Sequence, residues 1–471
     1  MSSRPMTGFG VQDIVRAAQG ALVTGDLAVP VTGVSIDSRT LQVGEAFFAI
    51  VGHRLDGHAF LADAAGRGAA CVVVHTLTDD APANVPLVLV DDTTRALGRL
   101  AAWYRGRFTG PVVAITGSIG KTTAKELTAA VLATRWDVLK PASSFNNQWG
   151  LPLTLLRLGV EHGAAVVELG TNQAGEIATL AAIARPTIGV VTMVAAVHTE
   201  FLGSIEGVYE EKAALVRALG ADGVAVLNAD DPRVASMARE TAARVVTFGR
   251  AAGAAVRVAG DVTETEAGIA FTLEAAGRRQ PVTLAFAGRH NVANALAAAA
   301  VGVALEVGVE DIARGLAAAR PVGGRGVWKR AGEVMILDDT YNASPASVAA
   351  ALATLAARRA GRRAVVVLGD MLELGALTDE AHRDVGRAIA ALPADELVGF
   401  GRAAALAVEA ARAAGLAETY HTTTFEETVA HLLKRVAPGD VVLVKGSRGM
   451  RMERIVDALV ARLARADRSS G

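Results

Sequence analysis

In 471 residues the chain has a single cysteine, Cys71. One thiol cannot close an internal disulfide, so a disulfide-held extracellular scaffold is excluded; within the apolar run AACVVV, Cys71 reads as a core residue of a protein in a reducing cytosol. Aromatic residues are only 4% of the sequence, too few for a base-stacking nucleic-acid surface. Neither sign of charge dominates. With 47 basic and 48 acidic residues the formal net charge is −1, so neither nucleic acid nor an anionic membrane is expected as a partner. Long apolar runs are missing as well: Ala295 to Leu305 is too short and too Ala-rich to span a bilayer, and the opening MSSRPMTGFG has no apolar signal core. The expectation is a cytoplasmic protein without membrane insertion. Lysine is also scarce, seven of the 47 basic residues, so each lysine in this arginine-rich chain invites a reason.

What is present is a large apolar fraction, 51%, and a length suited to about three domains. Residues 1–108 alternate short apolar runs (AFFAI, AACVVV, VPLVLV) with Gly- and Asp-rich turns, and read as a small α/β domain. Residues 109–320 alternate strand candidates (PVVAI, AAVVEL, TIGVVTMV, GVAVLN) with helical stretches, the pattern of a parallel sheet. A weaker β-like stretch at 254–286 precedes an Ala-rich helix that starts at GRHNVANALAAAA. PVGGRG at 321–326 is the best linker signal. From there to residue 471, VMILDD, RRAVVVLGD, ELVGFG and DVVLVKG repeat the strand-then-helix rhythm of a Rossmann-like domain. The fold class is therefore α/β in three domains, with a phosphate-loop sheet in the middle.

That loop is AITGSIGKTTAKEL, residues 114–127. A buried strand, a glycine loop and a helix opening at Lys121 form the context a phosphate cradle needs, because the first N–H groups of a helix have no internal partner and point at an anion. The common G-x4-G-K-[ST] pattern is not met, since residue 115 is Ile; the interval is the shorter G-x-x-G-K-T. An ordinary strand-to-helix turn that happens to carry a lysine is the alternative. Glu168 ends one predicted strand and His198 lies a few residues past another, on the same expected sheet edge, and Thr122 offers the hydroxyl that completes a magnesium site behind a phosphate-loop lysine. Taken alone, a Glu or a His at a strand end is usually structural. Lys212 stands apart. Its helical neighbours at i±3 and i±4 are Val208, Tyr209, Leu215 and Val216, an apolar face, while Glu210 and Glu211 point away. It is either a snorkelling side chain or a desolvated amine of lowered pKa, open to covalent modification.

Together TGSIGKTT, the VELG strand end, His198 and the lysine of EEKAAL resemble the Mur ligases, ATP-dependent amide-forming enzymes of peptidoglycan synthesis. IDSRTLQVGEAFFAIVGHRLDGHAF (36–60) is similar to the nucleotide-sugar segment of members accepting a peptide-bearing substrate. SFNNQWGLPLTLL, GRHNVANALAAAA, DDTYNASPASV, LGDMLELG and VKGSRGMRME are similar to members that add D-alanyl-D-alanine to UDP-N-acetylmuramoyl-tripeptide. The resemblance implies ATP held by Gly117, Ser118, Ile119, Gly120, Lys121, Thr122 and Thr123. It puts Thr122 and Glu168 on one Mg2+, and Glu168, His198 and a carbamylated Lys212 on a second. Asn291 would face the adenine, Arg325 the γ-phosphate, and Asp339, Tyr341 and Asn342 would bring the C-terminal domain to the nucleotide. Ser38 and Arg39 would contact the UDP moiety; Asn146 and Asn147 would line the path to the reacting carboxylate. The plain readings are a helix cap for Asn291, a solvated loop for Arg325 and a turn for Asn146-Asn147. Lys445 and Arg448 are candidates for the carboxylate of the acceptor, with a structural role or an ATP contact as alternatives. The resemblance implies a monomer with small-molecule partners. Rival readings are another Mur-type amino acid ligase, a phosphate-loop nucleotide switch, and a kinase.

Overall fold

Five successive residues, VVAIT, leave the segment Val112–Thr116 no polar side to turn to water, and it becomes a strand buried on both faces. The computed structural model describes residues 8–469 except 53, 80, 143, 198, 266 and 393. In it this strand lies between Ala164–Glu168 and Ile188–Val191, parallel to both. The chain builds outward on one side, through Val138–Leu139 and Ala164–Glu168, then crosses to the other for Ile188–Val191, Val224–Asn228 and Arg244–Gly249. Such a reversal of strand order opens a crevice beyond the carboxyl ends of the central strands.

The sheet is parallel as far as Val256–Thr265 and is then extended by Gly268–Ala275 and Arg278–Leu284, which run antiparallel, to nine strands. The β-like stretch at 254–286 is thus a three-stranded edge rather than more of the parallel pattern. Its sequence explains it. In GIAFTLEA the buried residues Ile269, Phe271, Leu273 and Ala275 alternate with less buried ones, the period of a strand with one covered face. That face packs into the same core as the helix Asn291–Ala304, whose alanines let it lie close.

Before this sheet stands a five-stranded one, ordered Ala21–Thr24, Leu87–Leu89, Cys71–Val74, Glu45–Phe48, Gly33–Ser35, parallel except for its first pair. Cys71 is in its core, and burial pushes the thiol up to about 12, which leaves it inert. After the central sheet comes a six-stranded one: Val327–Ala331 and Val334–Asp339 form a hairpin, and Val441–Lys445, Ala364–Gly369, Glu396–Phe400 and Glu418–Thr422 continue in parallel. Here too the last strand in sequence inserts between earlier ones, so a second crevice opens at the ends of Val334–Asp339 and Val441–Lys445. The first and second sheets are joined by the helix Thr93–Arg105, whose Leu97, Leu100 and Tyr104 share a core with Val167 and Leu180.

At the end of that helix Arg105 is buried without an acidic partner among the described residues. Its guanidinium donates to the carbonyls of Ala184 (2.9 Å), Phe108 (2.7 Å) and Arg185 (3.0 Å), the first and last closing the carboxyl end of the helix Glu176–Ala184. Burial lowers its pKa to about 10, so it stays charged at neutrality where the helix dipole favours a cation. Arg105→Met should lower stability by about 2–4 kcal/mol, because three buried carbonyls lose their donor. Arg105→Lys should recover less than half of that, lacking the planar fork. Calorimetric melting of the two variants checks both statements.

Candidate active site

The glycine loop is shaped by its neighbours. Gly117 has φ +140° and a Cβ there would lie 2.0 Å from Thr192 Oγ1; Gly120 has φ +90° and a Cβ would lie 2.3 Å from Asn294 Oδ1. No side chain fits at either place. Between them Ser118 donates its N–H to the Met193 carbonyl (2.8 Å), its hydroxyl donates to the Ala195 carbonyl (3.0 Å), and the Thr192 hydroxyl donates to the Ile119 carbonyl (2.6 Å). The helix Lys121–Leu132 opens directly behind. Lys121 Nζ donates to the Gly117 carbonyl at 2.7 Å. Desolvation, chiefly, and the charge of Arg325 lower its pKa against the pull of Glu168.

Beside the loop, the Thr122 hydroxyl donates to Glu168 Oε2 at 2.8 Å, and Asn146 Nδ2 donates to Glu168 Oε1 at 2.9 Å. Glu168 is buried, so both of its oxygens are fixed in direction. A hydroxyl and a carboxylate converging at the foot of a phosphate loop are hard oxygen donors, and they fit Mg2+. Among the described residues no three His, Cys, Asp or Glu side chains gather into a ready-made metal site. His198 lies outside the described residues. Lys212 is buried, as its helical position requires, and desolvation first, then the charge of Lys121, lowers its pKa to about 7 while Glu211 and Glu176 pull the other way.

The two crevices face each other across one cavity of about 440 Å3. Ser118 to Thr123, Asn146, Glu168 and Asn291 line it from the central sheet; Arg325 comes from the linker; Asp339, Tyr341, Asn342, Lys445 and Arg448 come from the third sheet. Arg325 lies 3.7 Å over the Tyr341 ring and donates to Ser144 Oγ at 3.2 Å, while its buried Nε has no partner among the described residues. An orphaned buried donor in a cavity wall asks for an anionic ligand. Asn291 Nδ2 donates to the Ala287 carbonyl and its Oδ1 accepts from Asn294, so its role in packing the loop against the helix is secured whatever it binds. Lys445 is buried and donates to Asp339 (2.5 Å) and to the Asn342 carbonyl (2.9 Å). Ser38 and Arg39 are elsewhere, in the first domain: Ser38 is buried, and Arg39 makes a two-pronged pair with Asp37. Asn147 caps the helix Gly150–Leu155 by accepting from the N–H groups of Trp149 and Gly150.

A second cavity of about 350 Å3 adjoins the first through Thr122, Arg325, Tyr341 and Arg448. Its charges are matched internally: Lys125 and Lys140 meet Glu126, and Lys329 meets Asp338 at 2.9 Å.

Some residues at the site carry no local signal in the sequence. Glu211, expected to turn away from Lys212, does so inward: it accepts from the N–H groups of Gly175 (2.7 Å) and Ile177 (2.6 Å), pinning the start of the helix Glu176–Ala184. Glu176 in turn gathers the Thr171 hydroxyl and the N–H groups of Asn172 and Gln173, which shapes the cavity-lining turn after Glu168. His290, Asn294 and Glu373 also line the cavity.

Comparison with known proteins agrees in all three parts of the chain. Family models described as Mur ligase family, catalytic domain; Mur ligase middle domain; and Mur ligase, glutamate ligase domain match residues 30–105, 115–302 and 324–448. The UDP-N-acetylmuramoyl-tripeptide--D-alanyl-D-alanine ligase of Escherichia coli is 38% identical over 94% of this chain and 95% of its own length; that of Bacillus subtilis is 34% identical over 93% and 96%. Among solved structures, MurF from Acinetobacter baumannii superposes with a TM-score of 0.90 at 32% identity, covering 97% of this chain and all of that one. MurF from Thermotoga maritima in complex with ADP has a TM-score of 0.81 at 29% identity, covering 92% of this chain and 98% of that one. Gly120→Ala should weaken ATP binding about 10-fold or more, since a left-handed backbone with a Cβ costs roughly 1–3 kcal/mol even before Asn294 moves. Calorimetric titration with ATP, beside a melting curve to show the fold intact, checks this.

Proposed function

The chain belongs to the Mur ligase family, and from that premise we propose that it joins D-alanyl-D-alanine to UDP-N-acetylmuramoyl-tripeptide at the expense of ATP, releasing ADP and phosphate. The observation that carries the reading is the single cavity walled by the glycine loop on one side and by the carboxyl ends of the third sheet on the other. Two reactants can meet the nucleotide there from different domains. In the working division, residues 1–108 hold the UDP moiety near Ser38 and Arg39, residues 109–320 hold ATP, and residues 321–471 bring the acceptor. In this proposal the protein acts as a cytoplasmic monomer. No helix among the described residues is long and apolar enough to cross a membrane.

The chemical problem is electrostatic. The tripeptide carboxylate must attack the γ-phosphate, and two anions at ~4 Å in an effective dielectric of ~20 repel by about 4 kcal/mol per charge pair. Lys121 and the orphaned guanidinium edge of Arg325 offset this, and the N–H groups of the loop and helix start hold the phosphate oxygens. Asn146 and Asn147 flank the approach of the carboxylate, Asn291 positions the nucleotide from the central domain, and Asp339, Tyr341 and Asn342 position it from the other side. Magnesium, when bound at Thr122 and Glu168, supplies positive charge to the same oxygens; a second ion would take Glu168, His198 and the Lys212 carbamate. Attack forms the acyl–oxygen–phosphorus link and breaks the bond to ADP. The acceptor amine then adds to the acyl carbon, loses a proton and expels phosphate, leaving an amide.

A neutral Lys212 amine adds to carbon dioxide with loss of a proton, turning a cation that repels metal into an anion that binds it, a change of about two charge units. The lowered pKa supports this role, because about half of the amine is neutral near pH 7. Lys212→Arg should therefore be nearly as inactive as Lys212→Ala in phosphate release. An Arg variant with near-normal turnover would remove the carbamate. For the reaction as a whole, the test is competition among acceptors at equal concentration with UDP-N-acetylmuramoyl-tripeptide and ATP. D-Ala-D-Ala should be incorporated far faster than D-Ala, L-Ala or D-Glu, and preference for any single amino acid would assign the chain to a different ligation step.

A further inference from the structure

Arg325 stands in the joint between two glycines of left-handed backbone, Gly324 at φ +74° and Gly326 at φ +66°. A long side chain on such a loop has many rotamers to lose before it can serve one place in a cavity wall. Its fixed partners are few. Among the described residues no carboxylate pairs with it, and the hydrogen bond that its guanidinium makes is the 3.2 Å donation to Ser144 Oγ. What holds the group is the ring of Tyr341, whose centroid lies 3.7 Å from the guanidinium carbon. Arg448 reaches the same ring only at 5.7 Å and is paired with Glu453, so the closer hold belongs to Arg325.

The ring is brought to that place by the main chain, independently of the stacking. The Tyr341 N–H donates to the Gly324 carbonyl at 2.9 Å, which ties the residue before Arg325 to the residue that carries the ring. The approach is tight: a Cβ on Gly324 would lie 3.1 Å from Thr340 Oγ1 and 3.3 Å from the Tyr341 nitrogen. Thr340 is buried and its hydroxyl donates to Asp338 Oδ1 at 2.7 Å, while Asp338 pairs with Lys329 of the adjacent strand at 2.9 Å. The strand end that carries Tyr341 is therefore fixed as well.

A stacked guanidinium differs from a paired one. A carboxylate partner takes two N–H groups and cancels the charge, whereas an aromatic face orients the plane and leaves the charge and the in-plane donors to a ligand. The buried Nε without a partner among the described residues is the donor left over here. We propose that Tyr341 is the positioning residue of Arg325: its ring face, and not its hydroxyl, holds the guanidinium plane so that the N–H edge is presented to the γ-phosphate. The inference rests on the phosphate role given to Arg325 above and adds what aims it.

The experiment measures the single-turnover rate of phosphate formation with saturating ATP, UDP-N-acetylmuramoyl-tripeptide and D-Ala-D-Ala. It compares the wild type with Tyr341→Phe, Tyr341→Leu, Arg325→Gln and the double variant Tyr341→Leu/Arg325→Gln, all of which keep the main-chain bond to Gly324. Tyr341→Phe should keep the rate within about twofold, and Tyr341→Leu should lower it about 10-fold, in the range of a desolvated cation–π contact. Once the guanidinium is gone the ring has nothing to aim, so the double variant should stay within about twofold of Arg325→Gln, which a merely structural role of the ring would not produce. No loss in Tyr341→Leu, an equal loss in Tyr341→Phe, or a Leu effect that multiplies fully onto Arg325→Gln would overturn the platform and leave the functional reading intact. A near-normal rate in Arg325→Gln would overturn the phosphate role and the platform with it. Failure of the wild type to join the dipeptide would overturn the reading on which both rest.

Discussion

The main chain of the glycine loop has to come so close to its surroundings that neither end tolerates a side chain, and most of the site is arranged by that constraint. Gly117 backs onto Thr192, which follows the strand Ile188–Val191; Gly120 backs onto Asn294 in the helix Asn291–Ala304. A nucleotide-binding turn is thereby wedged between a strand end and a helix contributed by distant parts of the chain. Once the turn is fixed, Lys121 and Thr122 have no choice of direction, and the Thr122 hydroxyl selects the oxygen of Glu168 that it meets. The buried asparagine pair, Asn291 with Asn294, is the outer brace of this arrangement, which explains two amides in the first turn of an alanine-rich helix.

The few lysines show a related economy of charge. Lys125, Lys212 and Lys445 are buried, and Lys121 lines the cavity. An ammonium is a single point at the end of a slim apolar stem, so it can be threaded through a core to one acceptor and can be neutralised by desolvation; a guanidinium resists both. In a chain that otherwise uses arginine, these four lysines stand where the charge has to be narrow or adjustable, whereas Lys140 and Lys434 are exposed. Arginine is kept where several acceptors lie in one plane, as at Arg105, or where an aromatic face is available, as at Arg325.

Much of this was legible in the sequence because the signals are local. The strand before the loop, the helix behind it, the burial of Lys212 and the strand-end position of Glu168 all follow from runs of fewer than about fifteen residues with a clear period. The antiparallel edge at 256–284 was less clear, since its strands are half covered and read weakly beside the fully buried parallel ones. Contacts between distant segments were not legible at all. Asn146 with Glu168, Glu211 with Gly175 and Ile177, and Leu372 with Ser447 each join residues 22 to 75 positions apart through single hydrogen bonds, and nothing in local spacing encodes them. For the same reason Lys445 looked available from its strand end, and only the facing Asp339 shows that it is occupied.

Arg325 sits in the joint between the second and third domains, flanked by Gly324 at φ +74° and Gly326 at φ +66°. An arginine planted on either domain would keep its place in that domain however the two were inclined. One planted in the joint is re-aimed by any twist of the joint, so on the proposed role of Arg325 the inclination itself would be reported at the γ-phosphate. A nucleotide held while the joint is turned away would then lack one of the charges that make its phosphorus reactive toward water as well as toward a carboxylate. On that proposal the two glycines would act as a safety catch, letting ATP wait in its cradle for the other reactants with less risk of idle hydrolysis.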